Sequence, residues 1–154
     1  MSDYLTHASP AGHYRISYPA DWMHLSVSNT EAFFFSQLQG PDDDFSDHIS
    51  VRAVDPGRSG GGAALDAIAE EIVAAFRRSE PTLSIDGTRT VEVAGRPAVR
   101  LDLRSSGKQN LRYDSVIVLD EPLAYHITYT SEAEHFDAFT EVFQAMLDSF
   151  SLDG

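Results

Sequence analysis

The sequence predicts an α+β domain: a mostly antiparallel sheet of about six or seven strands, with two principal helices packed on opposite faces. Three observations carry this. The stretches "TRTVEVAGRPAVRLDLRS" and "RYDSVIVLDEPLAYHITYT" each read as two strands joined by a short turn, at Ala94-Gly95 and at Asp120-Glu121-Pro122, and hairpins make antiparallel neighbours. Three consecutive phenylalanines, Phe33, Phe34 and Phe35, fall in a strand-like run; strand side chains alternate, so both faces of the sheet need cover. Two further segments repeat apolar residues at helical spacing and supply that cover.

In chain order, residues 1–11 read as a short lead. "HYRISYP" then alternates Tyr14, Ile16 and Tyr18 on one side and stops at a proline turn, which gives the first strand. "WMHLSV", "EAFFFSQL" and "HISVRAV" give three more, the last two separated by the polar break "GPDDDFSD". The Gly/Ser stretch at 57–62 reads as a flexible connector. Leu65, Ile68, Ala69, Ile72, Val73 and Phe76 follow at helical spacing, with acids toward the front, Arg77 and Arg78 at the end and Pro81 beyond the stop. This order suits the helix macrodipole and predicts a helix over about 63–78. After the two hairpins, Ser131 and Glu134 have the spacing of a capping box, and Phe136, Phe139, Phe143, Met146, Leu147 and Phe150 form a broad apolar stripe. A second helix over about 132–148 is expected.

The chain has 154 residues, the size of a single compact domain. It has no cysteine, which excludes disulfides, thiolate zinc sites and cysteine nucleophiles. The formal net charge is -13 and Lys108 is the only lysine. Such a field repels phosphate backbones and anionic head groups, so nucleic acid and membrane insertion are set aside as partners. The first residues lack a basic start followed by an apolar run, and no apolar stretch reaches the ~20 residues of a membrane span. A cytoplasmic location is the expectation.

Several motifs invite a chemical reading. Gly57-Arg58-Ser59-Gly60-Gly61 matches G-x-S-x-G, and Asp120 with His126 or His135 follows in the order of α/β-hydrolases. A nucleophile elbow, however, is a sharp turn after a buried parallel strand. Here Pro56 precedes, three glycines follow and the sheet is antiparallel, so flexibility stands where catalysis needs preorganisation. The same glycines lack the lysine of a phosphate loop, with Arg58 as thin compensation. Asp42, Asp43, Asp44, Asp47 and His48 could ligate a hard cation but lack EF-hand spacing, and read as a solvated acidic loop. The histidines form no H-x-x-x-H or H-E-x-x-H pair; His126 reads as a hydrogen-bonded sheet residue and His135 as a solvent-facing one. Glu70, Glu71, Glu132 and Glu134 sit near helix starts, where carboxylates are expected anyway. We assign no catalytic residue, no metal ligand and no cofactor, and the binding residues are not legible.

"YRISYPADW" (Tyr14 to Trp22), "VEVAGRPAVRLDL" (Val91 to Leu103) and "FQAMLDSF" (Phe143 to Phe150) together resemble the PsbP-like group of the Mog/PsbP family, over about residues 12–152. The resemblance implies an α/β/α sandwich and a protein that is not an enzyme. The family includes photosystem subunits, a nuclear-transport GTPase-binding protein, DcrB-related lipoproteins and the Eag chaperones of type VI secretion effectors, so the fold alone chooses no function. The matching residues carry structure: Pro19 ends a strand, Trp22 fills core, Gly95 permits a turn and Phe150 closes the last helix on the sheet. The chain departs from the lipoprotein members by lacking a lipid-bearing cysteine. The function expected is a non-enzymatic binding or adaptor domain with a protein partner, working through a sheet edge or a helix–sheet groove. An Eag-like chaperone is its more specific form, which would expose apolar surface and suit a homodimer. A serine hydrolase built on Ser59 and a lumenal or envelope stabilising domain are the remaining alternatives.

Overall fold

The computed structural model describes residues 3–9, 14–28, 31–36, 47–54, 62–107, 110–120 and 123–152. Seven strands form the main sheet in the order β3-β4-β5-β9-β8-β7-β6, and every neighbouring pair is antiparallel. They are β3 (Met23–Ser26), β4 (Glu31–Phe35), β5 (His48–Val54), β6 (Ser84–Val93), β7 (Arg96–Ser106), β8 (Asn110–Asp120) and β9 (Leu123–Glu132). A second sheet has three strands in the order β1-β2-β10, from β1 (Tyr4–Ala8), β2 (Tyr14–Pro19) and β10 (Ser151–Leu152). The helices are α1 (Gly62–Ser79) and α2 (Thr140–Ser149).

The alternation of β7, β8 and β9 sorts their side chains into two cores. Val99, Leu101, Leu103, Ile117 and Leu119 pack beneath Leu65, Ile68, Ala69 and Val73 of α1. Val116, Val118, Tyr125, Ile127 and Tyr129 face the other way, onto Phe143, Met146 and Leu147 of α2 and onto Tyr14, Ile16 and Tyr18 of β2. The phenylalanine triplet splits as alternation requires: Phe34 is fully buried on the α2 side, while Phe33 and Phe35 stack on each other on the α1 side with centroids 5.9 Å apart. Phe150 lies stacked on Tyr14 at 5.6 Å, and Trp22 meets Phe139 edge-on at 5.2 Å, so both core assignments hold. The β6–β7 turn is tight: Ala94 and Gly95 both have positive φ, 55° and 74°. Two positive φ values in a two-residue loop are the signature of a type I′ hairpin.

Three expectations need correction. The lead over 1–11 contains a strand, β1, which pairs with β2 along its whole length. Its side chains are mostly exposed, so no apolar pattern marks it. The second helix is not continuous over 132–148: Ala133–Phe139 form a 3-10 stretch and the α-helix begins at Thr140. The capping box is not made. Ser131 still belongs to β9, opposite Arg112, and its Oγ donates to Asp47 Oδ1 at 2.9 Å. Tyr129 Oη donates to the Phe136 carbonyl at 2.7 Å and its ring stacks on Phe136, which fixes the tighter first turn against the sheet.

Candidate functional site

The sequence-nominated chemistry is dispersed. Ser59, Arg58 and Asp42 to Asp44 lie outside the described residues, as does most of the 57–62 connector. Asp47 is buried and accepts the Ser131 hydroxyl, a structural role, and His48 lies against Phe33 and Phe35. Asp120 is held by Arg96 Nε at 2.9 Å. It follows Val116 and Val118 on the α2 face, whereas His126 stands opposite Ile117 on the α1 face. Asp120 and His126 therefore cannot share one catalytic centre. His135 is exposed on the 3-10 stretch.

His126 does meet a serine that sequence reasoning passed over. Its Nε2 lies 2.5 Å from Ser115 Oγ and 2.8 Å from Thr128 Oγ1, and these hydroxyls are 3.1 Å apart. Burial, with the Arg52 charge opposite it on β5, pushes the imidazole down to about 4. Ser115 is almost wholly buried. A base this weak beside an inaccessible hydroxyl serves a cross-strand hydrogen-bond cluster, not acyl transfer. Among the described residues no group of three metal-ligating side chains occurs.

The surface with the strongest individual character lies around β6, the end strand of the main sheet. On the α2 face, β7 carries Arg100, Asp102 and Arg104 in alternation with apolar Leu101 and Leu103, and β8 carries Arg112 and Asp114. The 3-10 stretch contributes Phe136, and with Gly87 and Arg89 of β6, Arg100 and Asp102 of β7 and Arg112 and Asp114 of β8 it lines a groove of about 320 Å³. Arg100 donates from Nε to Asp114 Oδ1 at 2.9 Å and from Nη1 to Gln144 Oε1 at 2.9 Å. Hydrogen bonding to Asp114 raises its basicity further. Arg112 reaches Asp102 at 3.3 Å and lies over the Phe136 ring at 4.4 Å. Arg104 pairs with Asp86 at 3.2 Å. Arg89 stands directly opposite Arg100 in register and is exposed, and its guanidinium has no ion-pair or hydrogen-bond partner among the described residues.

On the other face of the same strand, Ile85, Thr88, Val99 and Leu101 meet Val73 of α1 in a second groove, of about 470 Å³, rimmed by Asp66, Glu70 and Arg77. Ile85 is 41% exposed there. Sequence reasoning anticipated a sheet edge or helix–sheet groove but no residues in it. The signal was present as the period-two run Arg100-Leu101-Asp102-Leu103-Arg104, a strand with one charged and one apolar face.

The fold recurs widely at low identity. The solution structure of cyanobacterial PsbP (CyanoP) from Synechocystis sp. PCC 6803 aligns with TM-score 0.71 and 11% identity, over 99% of this chain and 94% of that one. A Mog1 point mutant aligns with TM-score 0.68 and 11% identity, over 98% and 96%. LpqN of Mycobacterium tuberculosis, described as involved in cell envelope biogenesis, aligns with TM-score 0.62 and 13% identity, over 100% and 91%. No curated protein matches significantly by sequence. The model of the family described as PsbP-like protein matches residues 5–152, nearly the whole chain, and the chain therefore belongs to the PsbP-like protein family.

Proposed function

We propose that this chain is a non-enzymatic binding domain that engages a protein partner along β6 and its flanking grooves. The observation that carries the reading is the unpartnered Arg89 beside an open edge strand, in a chain whose net charge is -13. Five of the 11 basic residues, Arg89, Arg96, Arg100, Arg104 and Arg112, lie on β6, β7 and β8. Arg96, Arg100, Arg104 and Arg112 pair with Asp120, Asp114, Asp86 and Asp102, which leaves Arg89 to meet a partner's carboxylate and so to set its register and orientation. The test is affinity capture of tagged wild type and Arg89→Glu from the native lysate, with mass spectrometry. A stoichiometric partner retained by wild type and lost by the variant supports the reading; no stoichiometric partner for wild type contradicts it.

A second reading, the Eag-like chaperone, draws on the opposite edge of the sheet. Met23, Leu25 and Val27 are 70%, 53% and 55% exposed, and register places Met23 and Leu25 beside Phe35 and Phe33. Exposed apolar surface of this kind marks a docking site. A monomer by light scattering that binds no hydrophobic dye would remove this reading.

A further inference from the structure

The geometry of β6 says more about its occupant. In a two-residue hairpin the closing pair, here Val93 and Arg96, exchanges both backbone hydrogen bonds, and an antiparallel ladder then alternates. Val91 and Arg89 are thereby turned toward β7, while Thr88, Thr90 and Glu92 hold their N–H and C=O groups out on the open side. The register from Gly87 to Val93 is unbroken, and the single irregularity lies below it, between Ile85 and Gly87. Natural sheets blunt their edges with charges and bulges. The bulge here stops short of the middle of the strand, and Thr88, Arg89 and Thr90 are exposed in unbroken register.

A strand added to this edge would continue the alternation of the sheet. Side chains on its α2 face would come over the first groove, beside the free guanidinium of Arg89, with Arg100 and Arg112 one and two strands further in. Three cations against Asp102 and Asp114 leave that groove one positive charge in excess, which favours carboxylates. Side chains on its α1 face would enter the second groove, floored by Val73, Ile85, Val99 and Leu101. That floor favours apolar groups, and the rim of Asp66, Glu70 and Arg77, with one acid in excess, adds no attraction for carboxylates. We propose that β6 accepts, by strand addition, an extended segment of a partner protein whose side chains alternate acidic and apolar. Main-chain pairing supplies affinity in this mode and the alternate side-chain sites supply selectivity. The proposal rests on the protein-binding reading above and specifies its occupant.

The test uses two blocked synthetic peptides, a Glu–Val repeat and a Lys–Val repeat of equal length, titrated into the full isotope-labelled chain. The expected result is amide shifts and slowed hydrogen exchange at Thr88, Thr90 and Glu92 with the Glu–Val peptide, and weaker binding of the Lys–Val peptide. Arg89→Glu is expected to lower the Glu–Val affinity about tenfold and to narrow or reverse the preference. Arg89→Gln, which keeps size without charge, gives an intermediate loss and serves if the reversal disturbs folding. Equal binding of both peptides, absence of Glu–Val binding, or shifts confined to Met23–Val27 would each overturn the proposal. The protein-binding reading fails separately, on the capture experiment, so the two failures are distinguishable.

Discussion

Acidification tests the packing of the α1 face, because His126 is held neutral there. Its imidazole is pushed down from 6.5 to about 4 by burial and by the Arg52 charge. The unfolded chain takes up the proton near the ordinary value, so between about 6.5 and about 4 the unfolded state binds more protons than the folded one. Stability is therefore intact above pH 6.5, falls as pH drops through this window, and levels off below the folded value. Each pH step costs ~1.4 kcal/mol, so acidification to about pH 5 removes about 2 kcal/mol. His7 and His24 are also pushed down by burial and act in the same direction. The assay is urea denaturation of wild type and His126→Gln at neutral pH and at about pH 5. The variant keeps a polar group between Ser115 and Thr128 and lacks the titration, so it is expected to lose about 2 kcal/mol less than wild type over this interval. Parallel losses in the two proteins would show that His126 is not held neutral and would refute the reasoning.

Further predictions follow from single contacts. Ser131→Ala removes the hydroxyl that serves buried Asp47 and is expected to cost about 1–3 kcal/mol in thermal or urea unfolding. Gly95→Ala places a side chain at φ 74°, with no steric neighbour within 4 Å, so only backbone strain of ~1 kcal/mol is expected, read by the same unfolding assay. A fluorophosphonate probe is expected to leave wild type unlabelled at Ser59 and Ser115; labelling abolished by Ser59→Ala would revive the hydrolase alternative.

The parts of the fold legible in the sequence are those with local causes. Gly95 suits one of the two positive-φ positions of the β6–β7 turn, and a wide apolar stripe ending in Arg77 and Arg78 marks α1. β1 and β10 were not legible because each is defined by its pairing with β2 and not by its own pattern. The start of the last helical segment departs from its sequence pattern for a related reason. Ser131 has a cap's spacing, but a carboxylate 84 residues away in sequence takes its hydroxyl. The charged groove is assembled from three strands and the 3-10 stretch, so each arginine alone reads as ordinary solvated surface. Only register shows that Arg89 faces Arg100 and that Asp102 faces Asp114.

Hydrogen–deuterium exchange of the chain alone and bound to its captured partner tests the central claim most directly. The account predicts that protection on binding concentrates in β6, with Thr88, Thr90 and Glu92 slowed most and the residues around Arg100 and Arg112 following. Protection centred instead on Met23 to Val27, with β6 unchanged, would contradict it and move the working surface to the opposite edge of the sheet.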